Sequence, residues 1–103
     1  MGIDRVLSLI GLATKAGKVV SGEFSTERAV KSKKAYMVIV ASDASENTKT
    51  KFENCCNYYK VPMLVYGTKE TLGRAMGKEL RASLALTDMG FVKAIEKLAG
   101  PEV

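Results

Sequence analysis

Phe24, Arg28 and Lys31 are spaced so that one side of a helix would carry all three, an aromatic ring among cations close to a helix start. Such a face offers phosphate cationic charge, backbone N–H groups and the positive end of the helix macrodipole, and it offers an unstacked base a ring to pack on. The plain alternative is Phe24 as a local hydrophobic staple, with Arg28 and Lys31 merely solvated. Two further segments tilt the balance towards a site. Lys15 and Lys18 flank the end of the preceding helix, and Lys78-Glu79-Leu80-Arg81 form a loop between a helix and a strand. In α/β sandwiches such connections gather at one end of the sheet, where binding sites form. Lys49, Lys51 and Lys60 fall on the outer side of another helix and are expected to be solvated.

Most catalytic chemistry lacks its groups. The chain holds no histidine, so the commonest general base and metal ligand near neutral pH is missing. A serine or cysteine nucleophile would need a lysine or carboxylate partner, and no G-x-S-x-G elbow frames one. Neither G-x-G-x-x-G nor a Walker loop is present, and Gly73-Arg74-Ala75-Met76-Gly77 has the look of a helix end. Asp43 and Glu46, near Ser42 and Ser45, have ligand chemistry, but a strand-to-helix turn rich in Asp and Ser is ordinarily a cap. Cys55 and Cys56 are the only cysteines, and neighbouring residues on a regular element diverge too far for an unstrained disulfide. They are expected to pack as small hydrophobes rather than to act as a vicinal thiol sensor. No enzyme, cofactor or metal site is expected, and a reducing, cytoplasmic compartment is.

These residues need a scaffold, and 103 residues suffice for one domain spanning 1–103 with a single core. Sixteen Lys and Arg against eleven Asp and Glu leave a formal net charge of +5, which favours polyanionic partners. No apolar run approaches the roughly 20 residues of a membrane span. Helical periodicity runs from Ile3 to about Ala16, stopped by Gly17, and Val19-Val20 allows a short strand. A second helix is expected from Glu23 to Lys33, with Thr26, Ala29, Val30 and Lys33 on its buried side. Tyr36 to Ala41 is a continuous apolar run and the expected central strand. Ser45 can cap a third helix burying Phe52, Cys55, Cys56 and Tyr59, and Met63 to Tyr66 follows as a strand after Pro62. Thr68 can cap a short helix with Leu72, Ala75 and Met76 inward, and Ala82 to Thr87 is the last strand. Asp88 caps a final helix with Phe91, Ile95 and Leu98 inward, closed by Gly100-Pro101. The alternation implies a three-layer α-β-α sandwich with a parallel or mixed sheet.

Several blocks in order along nearly the whole chain resemble a known family. They are Leu9-Ile10-Gly11-Leu12-Ala13 with Lys15-Ala16-Gly17-Lys18, Val19-Val20-Ser21-Gly22-Glu23, Asp43-Ala44-Ser45-Glu46-Asn47-Thr48, Asn57-Tyr58-Tyr59-Lys60-Val61-Pro62, Leu72-Gly73-Arg74-Ala75-Met76-Gly77-Lys78 and Thr87-Asp88-Met89-Gly90-Phe91. The pattern is similar to the kink-turn RNA-binding ribosomal proteins of the L-seven-Ae, L-thirty-e and Gadd-like superfamily, closest to the bacterial YlxQ-type branch. The resemblance implies a four-stranded mixed sheet, a cytoplasmic monomer without cofactor, and sharply bent RNA as partner, within ribosomal or other RNA complexes. It also implies an RNA site made of Gly22, Glu23, Phe24, Ser25 and Arg28 at the second helix, and of Lys78, Glu79, Leu80, Arg81 and Ala82 in the loop before the last strand. Phe24-Ser25 departs from the archaeal pattern, which has an Asn-Glu pair there. Phe24 cannot hydrogen-bond a base edge and Ser25 reaches less far, so backbone affinity should outlast base readout. A protein-interaction or regulatory module on the same scaffold, without RNA, is the alternative function.

Overall fold

The computed structural model describes residues 4–99; the expected roles of Ile3 and of Gly100-Pro101 lie outside them. Asp4 accepts a hydrogen bond from the Leu7 N–H at 3.0 Å and so caps α1 (Arg5–Lys15), which buries Val6, Ile10 and Ala13. Gly17, with φ of 74°, reverses the chain into β1 (Val19–Ser21). Next comes α2 (Glu23–Lys31), whose buried residues are Thr26, Ala29 and Val30. Lys33 is not part of that stripe, contrary to expectation. The helix stops at Lys31 because the chain must turn into the sheet, and Lys33 takes up a left-handed φ of 64° in that turn, exposed to solvent.

All four residues of β2 (Met37–Val40) are buried, as a strand covered on both faces requires. The Ser45 hydroxyl accepts from the Thr48 N–H at 3.1 Å and starts α3 (Glu46–Tyr59), which buries Phe52 and Cys56 and leaves Cys55 and Tyr59 half-buried. Burial pushes the Cys56 thiol up to about 11, so it stays protonated and packs as an apolar group. After β3 (Met63–Val65), Thr68 and Thr71 form a capping box at the start of α4 (Lys69–Ala75). Asp43 adds to the same helix start by accepting from the Lys69 N–H at 2.8 Å, so this one turn caps α3 through Ser45 and α4 through Asp43. β4 (Ser83–Leu86) is buried throughout. Asp88 then accepts from the Phe91 N–H at 3.2 Å at the head of α5 (Met89–Ala99). The buried residues of α5 are Val92 and Ile95, and Leu98 is 43% exposed. Leu98 does not turn inward as expected because the covered stripe runs through Val92, Ile95 and Ala99, and Leu98 stands to its side.

The sheet order is β1-β4-β2-β3. β4 pairs antiparallel with both β1 and β2, and β2 pairs parallel with β3, with α3 as the crossover between them. The sheet is therefore mixed. α1 packs on α4 and α5, while α2 packs on α3. Ser83 donates towards Thr26 of α2 at 3.4 Å, and alternation along β4 turns Leu84 and Leu86 to the opposite layer. One end of the sheet matters for the site. There Gly22 donates its N–H to the Ser83 carbonyl at 3.0 Å, and Ala41 donates to the Ala82 carbonyl at 2.8 Å. Among the described residues no helix is long and apolar enough to cross a membrane.

Candidate nucleic-acid interface

Gly22 is the hinge of the site. Its φ of 94° and ψ of 157° belong to a region that side-chain-bearing residues essentially do not occupy, and no side chain caps the helix it opens. The first-turn N–H groups of α2 therefore face outward with the positive end of the helix dipole. Phe24 stands beside them 74% exposed, and with Glu27, Arg28, Lys31 and Ser32 it borders an open hollow of about 400 Å³.

The second wall is the loop from Lys78 to Ala82, and a glycine holds it in place. A Cβ on Gly73 of α4 would lie 1.7 Å from the Glu79 carbonyl oxygen, so the loop backbone lies directly on the bare Cα. Lys78 N–H donates to the Gly73 carbonyl at 2.8 Å and Arg81 N–H to the Lys69 carbonyl at 3.1 Å. Arg81 then ties the two walls together: Nε donates to the Ser21 hydroxyl at 3.3 Å and Nη1 to the Leu80 carbonyl at 2.9 Å. Ser21 precedes Gly22, so the loop and the start of α2 form one rim. Leu80 projects from it, 60% exposed.

Charge along the rim is sorted by ion pairs. Lys51 of α3 bridges Glu23 at 2.8 Å and Glu27 at 2.9 Å, and Lys31 meets Glu27 at 2.8 Å. Lys51 is thus not the solvated lysine expected; it fastens α3 to α2 and neutralises both acids beside the site. Arg28 has no salt bridge among the described residues. Lys31, and after it Lys51, hold the Glu27 carboxyl below the ordinary glutamate range. Stability from this carboxylate is complete above that ordinary range and is lost as pH falls through the depressed folded value. Glu27→Gln is expected to cost less than about 1 kcal/mol near neutrality, since these pairs are partly solvated. The gap between wild type and variant in thermal melts should close as pH falls through the depressed Glu27 value, below the ordinary glutamate range; a gap that persists in strong acid would mean the side chain acts by packing.

The model of the Ribosomal protein L7Ae/L30e/S12e/Gadd45 family matches residues 4–96. The chain belongs to that family. Among relatives of this L7Ae-family chain, the RNA-binding protein YlxQ of Bacillus subtilis (strain 168) is 43% identical over 90 residues, covering 87% of the chain and 90% of the relative. A protein of the same name from Enterococcus faecium is 38% identical over 95 residues, 92% and 91% of the two chains. A protein of unknown function from Bacillus halodurans C superposes with a TM-score of 0.88 at 37% identity, over 91% of this chain and 95% of the other. The Giardia lamblia 15.5kD RNA binding protein shares the fold, with a TM-score of 0.77 at 21% identity over 92% and 88%. Membership places the L7Ae-family chain among ribosomal-type proteins rather than enzymes, in the YlxQ-type branch expected.

Within this L7Ae-family chain the expected site residues fall into two groups. Gly22, Glu23, Phe24, Ser25 and Arg28 stand on the first turns of α2, and Lys78, Glu79, Leu80, Arg81 and Ala82 in the loop that Arg81 ties to Ser21; Lys31 lies in the last turn of α2, towards the other end of the sheet. Lys15 and Lys18 do not join the rim as expected. The Lys18 carbonyl accepts from the Thr87 N–H at 2.9 Å, at the other end of β1 from Gly22, because α1 hands over to that strand at its far end. Lys15 lines the cleft between α1 and α4 with Arg74 and Gly77. Sequence reading missed Gly73 and Ser21. A glycine in the interior of a helical pattern was the available signal for the first; nothing local marks Ser21, whose partner is 60 positions away.

Proposed function

We propose that this protein binds folded RNA, recognising a sharp bend by shape and by phosphate contacts, as a cytoplasmic monomer acting on ribosomal or other structured RNA. The observation that carries the proposal is the single rim made when Arg81 joins the Lys78–Ala82 loop to the uncapped start of α2. Family membership and two relatives called RNA-binding proteins support the ligand class. In this scheme Arg28 and the outward N–H groups of α2 meet phosphate, Gly22 lets the backbone approach, and Phe24 and Leu80 pack on bases that have left the stack. Arg81 spends two of its donors inside the protein, so it acts first as a latch and only with its remaining face on the nucleic acid. No base-edge hydrogen bond is available from Phe24.

The test is fluorescence anisotropy with a kink-turn RNA and a straight duplex of equal length over a salt series. Tighter binding of the bent RNA is expected, with Arg28→Ala weakening both and lowering the log–log salt slope by about one. Equal affinity for bent and straight RNA would end the shape proposal. Absence of binding to either, even at low salt, would instead favour a protein-interaction module.

A further inference from the structure

A second cationic hollow lies at the opposite end of the sheet from Gly22. Tyr36 N–H donates to the Leu86 carbonyl at 2.8 Å and Val38 N–H to the Pro62 carbonyl at 3.0 Å, which places the turns before β2 and β3 there. These turns meet the first half of α5 around a cavity of about 500 Å³ bordered by Lys33, Lys60, Lys93, Tyr36, Met89 and Glu96. Roughly 17 Å of strand separates it from the rim, at about 3.4 Å per residue from Tyr36 to Ala41.

Three lysines face one carboxylate, all three are exposed, and none takes part in a salt bridge among the described residues. Two of them sit where lysine is unexpected. Lys33 and Lys60 have φ of 64° and 60°, the described non-glycine residues with positive φ. Glycine or asparagine would relax both turns. Cations are favourable near helix C-termini, but any position in the last turn would serve that purpose without left-handed backbone. What the two turns share is the cavity. Its size suits one nucleotide, and Tyr36, 44% exposed, offers a ring beside the charges, the combination that holds single strands. An acidic peptide would answer the lysines alone and leave the aromatic wall without a use.

We propose that Lys33, Lys60, Lys93 and Tyr36 form a second RNA site, for an unpaired stretch, so that one molecule can hold a bent element at the rim and a separate single-stranded segment at the other end. RNA as the ligand class rests on the function proposed above, and the two are separable. The protein is first saturated with unlabelled kink-turn RNA, and a short fluorescent oligouridylate is then titrated in at two salt concentrations. Saturable, salt-sensitive binding to the preformed complex is expected. The triple variant Lys33→Asn, Lys60→Asn, Lys93→Gln should weaken oligouridylate binding about tenfold or more, while kink-turn affinity changes less than about twofold. Asparagine suits the left-handed turns, so the variant should fold, as circular dichroism and a melt will verify. The proposal is overturned if the variant binds oligouridylate like wild type, if kink-turn RNA and oligouridylate displace one another, or if an oligoglutamate peptide binds more tightly than the oligouridylate. Lysine-dependent oligouridylate binding without kink-turn binding would strike the rim and leave this second site standing.

Discussion

Gly73→Ala is expected to destabilise the protein by about 2–3 kcal/mol and to lower the melting temperature by roughly 10–20 °C. Helix propensity alone points the other way, because alanine in a helix interior is better than glycine by about 1 kcal/mol. Contact decides the sign. The new methyl would stand 1.7 Å from the Glu79 carbonyl oxygen and 2.6 Å from its carbonyl carbon, and both are backbone atoms that no rotamer change can move. Either α4 or the loop must shift, and the Lys78-to-Gly73 hydrogen bond, 2.8 Å long, resists the separation. Amide chemical shifts of residues 78–82 should move with the melting temperature, and RNA affinity should fall with them. A variant as stable as wild type would show that the loop is held by something other than its seat on α4.

Leu80→Asp is expected to leave the melt nearly unchanged, within about 0.5 kcal/mol, because the side chain is an exposed loop residue. Its effect should fall on the proposed ligand. Losing apolar contact with an unstacked base and placing a carboxylate beside phosphates should weaken kink-turn RNA about 10- to 100-fold, roughly 1.4–2.8 kcal/mol. Leu80→Ala should fall between the two, separating lost packing from added repulsion. A straight duplex has no extruded base to lose, so it should suffer only the smaller electrostatic part. Identical losses on the two RNAs would remove Leu80 from the packing role and reduce the loop to a charged edge.

Local physics carried the elements well and the long-range assembly poorly. The run Tyr36 to Ala41 marks a strand buried on both faces, and Met37–Val40 is that strand; caps at Ser45, Thr68 and Asp88 likewise come from short-range hydrogen bonding. Lys33 went astray because α2 ends before it and it lies in the left-handed turn that follows, and Leu98 because the stripe actually covered is Val92, Ile95 and Ala99. The fate of Lys51 and of Arg81 depends on partners 28 and 60 positions away, which no helical wheel contains. Of the site, the α2 face and the loop were legible as chemistry. That they meet was an expectation from fold class, whereas the displacement of Lys18 follows from strand direction, which composition does not encode.

The strand made last in the sequence order of the sheet occupies an inner place, between β1 and β2. A chain emerging from its N-terminus can therefore close the local β2–α3–β3 unit early, but β1 has no partner until residues 83–86 arrive. The Gly22 hinge and the Arg81 latch are both anchored on that late arrival. Nascent chains thus carry Arg28 and the rest of the α2 face long before they carry the geometry of the rim, which waits for β4 to be made.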